Sequence, residues 1–247
     1  MSNKRLTLIA GWGYTSSAMS LLADELATNN CCITSTNELW SKGGNTSTHK
    51  NYSAGLISLI KELGDCSIVV GWSMGGMVAL ETAYSSPGLI SALVLISSTA
   101  KFCTDSTYDA GIPAQMVRAM DISIKKDFTK TLTQFIQGKN LPASGMSQML
   151  IEQIKQISKL NREELPYGLK YLEHTDCRHC LRQINIPVLL IHGKADTTIP
   201  PQASEFLHNH LPDNILHLYE KCDHLLPFQK PRALAADIKS FLKQRKI

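Results

Sequence analysis

Ser67-Ile-Val-Val-Gly-Trp-Ser-Met-Gly-Gly76 begins as a short apolar, β-favouring run and breaks off at a glycine. The run suits a strand buried on both faces. From Met74 to Tyr84 the pattern turns helical, so a strand passes into a helix within a few residues. Between them Gly71-Trp72-Ser73-Met74-Gly75 has the G-x-S-x-G form. In a strand–turn–helix setting the glycines permit a sharp turn that lifts the serine hydroxyl above the end of the sheet. The pattern alone is short enough to arise by accident, and a glycine-rich helix start can also bind an anion. The context is what points to a nucleophile.

Working outward, Leu6–Ala10 reads as a strand ending in the turn Gly11-Trp12-Gly13. Ser16 or Ser17 can cap a following helix with Met19, Leu22 and Leu26 on one face. Cys31–Thr36 is a weaker strand, Ser41–Thr48 reads as a loop, and Leu56, Leu59, Ile60 and Leu63 have helical spacing up to Gly64. Leu93–Ile96 and Pro187–His192 are apolar strands. A helix near Ala203–Asn209, a strand Ile215–Tyr219 and a helix Pro231–Arg245 follow. Strands alternating with helices predict an α/β fold with a mostly parallel sheet covered on both faces. Between roughly Phe102 and Asp176 the alternation stops. Phe128, Leu132, Phe135 and Ile136 form one helical stripe and Ile154, Ile157 and Leu160 another. The expected division is an α/β core in two parts, residues 1–101 and 177–247, with a helical lid over 102–176 inserted between core strands.

The chain has 247 residues, 43% hydrophobic and 19% charged, ordinary for one globular domain. No apolar run is long enough for a membrane helix, and no secretory signal pattern is expected at the N-terminus. Seven cysteines form no disulfide framework, which fits a reducing, cytoplasmic setting. The formal charge of +4 is unevenly spread: from Arg118 to Arg162 eight bases face three acids, a local balance of +5. Such a surface can steer an acidic partner, although a solvated helical face would carry many of the same residues. Nucleic acid and membrane partners are not expected, nor is a nucleotide. No Walker motif is present, and Gly11-Trp-Gly13 lacks the rest of a dinucleotide fingerprint. Cys177-Arg-His-Cys180 lacks a second ligand pair, so no metal is expected.

A serine hydroxyl needs a base, and on this type of sheet the partners follow in the order serine, acid, histidine. Asp196 comes just after the strand ending at His192, and His224 after the strand ending at Tyr219. Both belong at the carboxyl edge of a parallel sheet, where ligands bind. His49, His174 and His179 precede the acid in sequence, His192 ends a strand, and His208, His210 and His217 sit on a helix, its end and a strand. Asp223 adjoins His224 and is badly placed to orient its ring. The catalytic candidates are therefore Ser73, Asp196 and His224. The oxyanion donors expected are the backbone N–H groups of Met74, the residue after the nucleophile, and Trp12, in the turn after the first strand.

These residues resemble the α/β-hydrolases, and more narrowly the pimeloyl-(acyl-carrier protein) methyl ester esterases of biotin synthesis. The likeness runs over most of the chain. It is carried by Gly11-Trp-Gly13, Gly71-Trp-Ser-Met-Gly-Gly76, Leu93-Val-Leu-Ile-Ser-Ser98, Gly168-Leu-Lys-Tyr-Leu172 with Asp176, Arg178 and Leu181, Gly193–Asp196 and Asp223-His224. The resemblance implies hydrolysis of a methyl ester on an acyl chain held by acyl-carrier protein, with no cofactor. It implies acyl contacts from Trp12, Ser73, Met74, Phe135, Ile136, Gln137, Gly138, Lys139 and His224. Carrier contacts would come from Lys130, Lys155 and Lys159. Two positions depart from the pattern: Ala10 stands where these hydrolases usually have histidine, and the Asn37–Lys50 loop replaces their Asp-x-Pro-Gly-x-Gly stretch. A broad carboxylesterase or lactonase acting on small free esters stays open, as does a non-catalytic ligand-binding protein on the same fold. The expected assembly is a monomer.

Overall fold

A computed structural model describes residues 5–28, 30–44, 51–64, 67–138 and 148–247. Six strands form one sheet: β1 (Leu6–Ala10), β2 (Cys31–Ser35), β3 (Ser67–Trp72), β4 (Ile90–Ile96), β5 (Val188–Gly193) and β6 (Asn214–Tyr219). Their order is β2-β1-β3-β4-β5-β6, and every pairing is parallel. One aligned row, Ile9–Gly71–Leu95–Leu190–Leu216, crosses five of the strands. The residues just beyond that row therefore collect on a single carboxyl edge. The inner strands read as nearly unbroken apolar runs because helices cover both of their faces. β3 and β5 are buried at every position, whereas the edge strand β6 is half-buried throughout.

Flanking the sheet are α1 (Ser20–Leu26) packed on α11 (Pro231–Arg245), α3 (Asn51–Leu63) packed on α4 (Met74–Ser85), and α9 (Gln202–His210) against β5 and β6. Two local expectations change. The expected loops Asn37–Lys50 and Ser41–Thr48 give way at their start to a helix, α2 (Thr36–Lys42), and their residues 45–50 lie outside the described residues. Ser35 Oγ accepts from Glu38 N–H while the Glu38 carboxylate accepts from Ser35 N–H, a reciprocal capping box that starts the helix within the expected strand end. Ser16 and Ser17 do not cap α1 but lie in a short 3₁₀ turn before it, and their hydroxyls reach Glu38 and Gln156 instead.

Between β4 and β5 the chain runs through α5 (Ala114–Lys126), α6 (Phe128–Gln137), α7 (Gln148–Lys155) and α8 (Leu165–His174). Asp127 caps α6 by accepting from Lys130 N–H. Both ends of this helical excursion meet beside the sheet. Cys177 N–H donates to Ala100 O, and Lys101 and Asp176 form a β-bridge. No described helix is long and apolar enough to cross a membrane. The short α10 (Leu226–Gln229) precedes α11.

Candidate active site

Ser73 stands between the last residue of β3 and the first of α4 with φ 57° and ψ −124°, a left-handed conformation a serine rarely adopts. Such a backbone costs of order 1–3 kcal/mol and persists only where its surroundings hold it. Here they do. Ser73 N–H donates to Ile96 O at 2.9 Å, and Ser73 O accepts from Ser98 Oγ at 2.8 Å and Gly76 N–H at 3.0 Å. The turn is also too tight for side chains: a Cβ on Gly71 would lie 2.5 Å from Gly76 Cα, and one on Gly75 2.6 Å from Ile9 O. The G-x-S-x-G spacing is thus a packing requirement of the turn.

His224 follows β6 and Asp196 follows β5. Their loops are laced together, since Lys194 N–H donates to Tyr219 O at 2.9 Å and Ala195 N–H to Cys222 O at 2.8 Å. Ser73 Oγ lies 2.9 Å from His224 Nε2, and His224 Nδ1 lies 2.7 Å from Asp196 Oδ2. Asp196 Oδ1 accepts from Thr198 N–H at 2.8 Å and Ile199 N–H at 2.9 Å. Burial alone would push the Asp196 carboxyl up. The neighbouring His224 and the hydrogen bonds from His192 and His224 outweigh it and hold the group well below the usual carboxylate range. An anion at Asp196 leaves Nδ1 of His224 as donor and Nε2 as acceptor, the tautomer able to take a proton from Ser73. The adjacent Asp223 is engaged in its own turn, its Oδ1 accepting from Leu225 N–H at 2.8 Å. Rival histidines are occupied elsewhere: His208 with Asn214, His217 with Asp237, and His210 stacked on Phe206.

The Gly11–Trp12 turn borders Ser73, for a Cβ on Gly11 would come within 3.5 Å of Ser73 Oγ. Trp12 follows Gly11 in that turn, and Met74, directly after Ser73, is the first residue of α4. The Trp12 indole donates to Leu165 O at 2.9 Å and meets Phe135 edge-on at 5.2 Å, joining the turn to α8 and α6. Ile136 is buried, Phe135 and Gln137 are half-buried, and Gly138 is exposed at the end of α6; Lys139 lies outside the described residues. Lys130, Lys155 and Lys159 are all exposed on this helical segment. A surface cavity of about 370 Å³ lies among Lys125, Lys126, Phe128 and Arg162, and Ser73, His224 and Asp196 take no part in lining it.

Trp72 and His192 carry parts of the site that their sequence positions do not announce. Trp72 Nε1–H donates to the His224 carbonyl at 2.9 Å, with the two rings 5.7 Å apart. His192 is fully buried and lies 3.1 Å from Asp196 Oδ2. Cys177 and Cys180 are buried as well, the Cys180 thiol donating to Cys177 O.

The alpha/beta hydrolase fold family model matches residues 59–231 of this chain. A pimeloyl-(acyl-carrier protein) methyl ester esterase from Aromatoleum aromaticum is 30% identical over 232 residues, covering 91% of this chain and 92% of the relative. One from Neisseria meningitidis is 30% identical over 175 residues, 70% of this chain and 68% of the relative. Among solved structures, an esterase from Exiguobacterium antarcticum superposes with a TM-score of 0.85 at 18% identity, over 98% of this chain and 92% of its own. An enol-lactonase from Burkholderia xenovorans gives 0.81 at 14%, over 98% and 92%. These structural likenesses show the fold alone. With the sequence relatives beside the hydrogen-bonded serine, histidine and aspartate, this chain belongs to the α/β-hydrolase family, as a carboxylic ester hydrolase of the pimeloyl-(acyl-carrier protein) methyl ester esterase group.

Proposed function

We propose that this enzyme hydrolyses the methyl ester of a pimeloyl chain carried on acyl-carrier protein, using Ser73, His224 and Asp196. The observation that carries the reading is the continuous line from Ser73 Oγ to His224 Nε2, 2.9 Å, and from His224 Nδ1 to Asp196 Oδ2, 2.7 Å. Relatives bearing that substrate in their names supply the substrate class. His224 Nε2 takes the Ser73 proton as Oγ attacks the ester carbonyl carbon. The tetrahedral oxyanion is held by the N–H groups of Trp12 and Met74. Collapse expels methoxide, which leaves as methanol with the proton from His224. Water then attacks the acyl-enzyme by the same route in reverse, freeing the acid and Ser73. Asp196 stays ionised throughout, fixing the imidazole tautomer and stabilising the imidazolium.

The described helices between β4 and β5 act as a lid, with Phe135, Ile136, Gln137 and Gly138 lining the acyl path. Lys130, Lys155 and Lys159 face the acidic carrier. The working form is a cytoplasmic monomer. The test compares the carrier-bound methyl ester with the free ester, in the wild type and in Ser73→Ala. Hydrolysis should fall by about 10³-fold or more in Ser73→Ala, and a fluorophosphonate should label only the wild type. The wild type should prefer the carrier-bound ester. Equal turnover of both esters would instead make the protein a broad carboxylesterase, and no labelling would make it a binding protein.

A further inference from the structure

Behind the carboxylate that faces His224 stands a second histidine. His192 is the next-to-last residue of β5 and has no exposed surface. Its Nε2 lies 2.9 Å from Ile199 O and 3.1 Å from Asp196 Oδ2. Its Nδ1 lies 2.5 Å from Ser204 Oγ on α9. A carbonyl oxygen only accepts, so Nε2 must carry the proton, and that one N–H is shared between Ile199 O and Asp196 Oδ2. The other ring nitrogen, Nδ1, pairs with the Ser204 hydroxyl. Asp196 Oδ2 is thereby held between two imidazoles, one at 2.7 Å in front and one at 3.1 Å behind.

We propose that His192 is a positioning residue of the hydrolytic site, which through its Nε2–H anchors Asp196 Oδ2 and draws off part of the negative charge offered to His224. The inference rests on the reading of Ser73, His224 and Asp196 as the catalytic group. A buried histidine satisfied by Ser204 and Ile199 alone would be ordinary core structure. The third partner, the catalytic carboxylate itself, gives His192 a route to the chemistry. The titratable groups facing Asp196 are His224, from the loop after β6, and His192, from the end of β5. α9 brings the uncharged Ser204 and the β3–α4 turn the uncharged Ser73, while Asp223 is bound to Leu225 N–H. Without the His192 donor the carboxylate charge falls more fully on His224, so its imidazolium is favoured and the acid limb of the activity profile moves to higher pH.

The experiment measures kcat and KM for a p-nitrophenyl ester from pH 5 to 9 in the wild type, His192→Gln, His192→Asn, His192→Leu and Ser73→Ala, with thermal unfolding of each. The longer Gln amide can present an N–H where Nε2 stands, whereas the Asn amide reaches toward Ser204 but falls short of Asp196. His192→Asn and His192→Leu should lose about 10–100-fold in kcat with little change in KM. Their acid limb should rise by about half a pH unit or more, and His192→Gln should recover both. Should His192→Leu fail to fold, the Gln–Asn contrast carries the same decision. An acid limb that stays at the wild-type position in folded His192→Asn, or one that shifts equally in Gln and Asn, overturns the proposal. Persistent turnover in Ser73→Ala overturns the catalytic reading beneath it, so the two failures are distinguishable.

Discussion

At the residue scale, the arrangement of Ser73, His224 and Asp196 depends on side chains outside that group. Trp72 is wholly buried, packed against Tyr14 with ring centres 4.7 Å apart and edge-on to Phe228 at 5.8 Å, and its indole N–H holds the His224 carbonyl. Trp72→Phe keeps most of the apolar bulk and deletes that donor, leaving a buried carbonyl unpaired at about 1–3 kcal/mol. The variant should unfold at lower denaturant and lose roughly tenfold in kcat, by displacing the His224 ring, with KM nearly unchanged. A variant as active as wild type would mean that the His224 loop is held without Trp72. That Ser73, Asp196 and His224 come together is legible in the sequence, because a strand, a tight turn and a loop residue are each written locally. The Trp72 contact was not. Its partner is 152 residues away, and a bond to a backbone carbonyl leaves no residue-type signature on the acceptor. His192 is a plainer lesson: the end of a strand looks like an ordinary buried position. Only the return of the 196–199 turn, with Thr198 and Ile199 N–H both on Asp196, sets the carboxylate against its ring.

At the scale of elements, the helical excursion between β4 and β5 is pinned where it leaves and rejoins the core. Lys101 Nζ lies 2.7 Å from Asp105 and 3.3 Å from Asp176, and Arg178 Nη2 lies 2.7 Å from Asp176 and 3.1 Å from Asp105. Burial opposes the charge on Asp176, but hydrogen bonds from Arg178 and Lys101 prevail and hold its carboxyl at about 2, below the ordinary 3.8. Asp176→Asn should destabilise the protein by about 1 kcal/mol at pH 7, as befits a partly exposed network. An unfolded aspartate titrates at about 3.9, so this stabilisation is complete above roughly pH 5 and is lost as pH falls toward 2. Urea unfolding of wild type and variant at pH 7, 4 and 3 should show the gap narrowing at the lowest value, and a gap independent of pH would rule out the carboxylate as its source. Strand and helix identity were readable here because apolar runs and 3.6-residue stripes are strong signals. The helix α2 was not, since Thr36–Lys42 presents little apolar face: Thr36 and Leu39 are its buried residues, and its start rests on the Ser35–Glu38 cap.

At the scale of the whole molecule, the net charge of +4 hides a polarity, because the helical segment from Arg118 to Arg162 carries a balance of +5 and the remainder is slightly negative. Several of those cations are already committed. Lys125 lies 2.5 Å from Asp121, Lys155 lies 3.8 Å from Glu152, and Arg162 sits over the Phe128 ring. Lys130 and Lys159 form no ion pair among the described residues and are exposed. Composition could show that the charge was local, but which lysines are free to meet a partner is set by helix register and neighbouring acids. An acidic carrier approaching the segment would feel the field over about 8–10 Å at moderate salt, so the effect belongs to association and not to the ester chemistry. Lys130→Glu or Lys159→Glu should therefore raise KM for the carrier-bound methyl ester by about three- to tenfold while leaving kcat and the free ester unchanged. Lys155→Glu should do the same more weakly, because Glu152 already offsets part of its charge. Raising the salt to about 0.5 M should bring wild type and variants together, as screening removes the attraction the wild type enjoys and the repulsion the variants suffer. If charge reversal slows the free ester as much as the carrier-bound one, the lysines act on the fold or on the acyl path, and docking of an acidic carrier on this face is the wrong account of them.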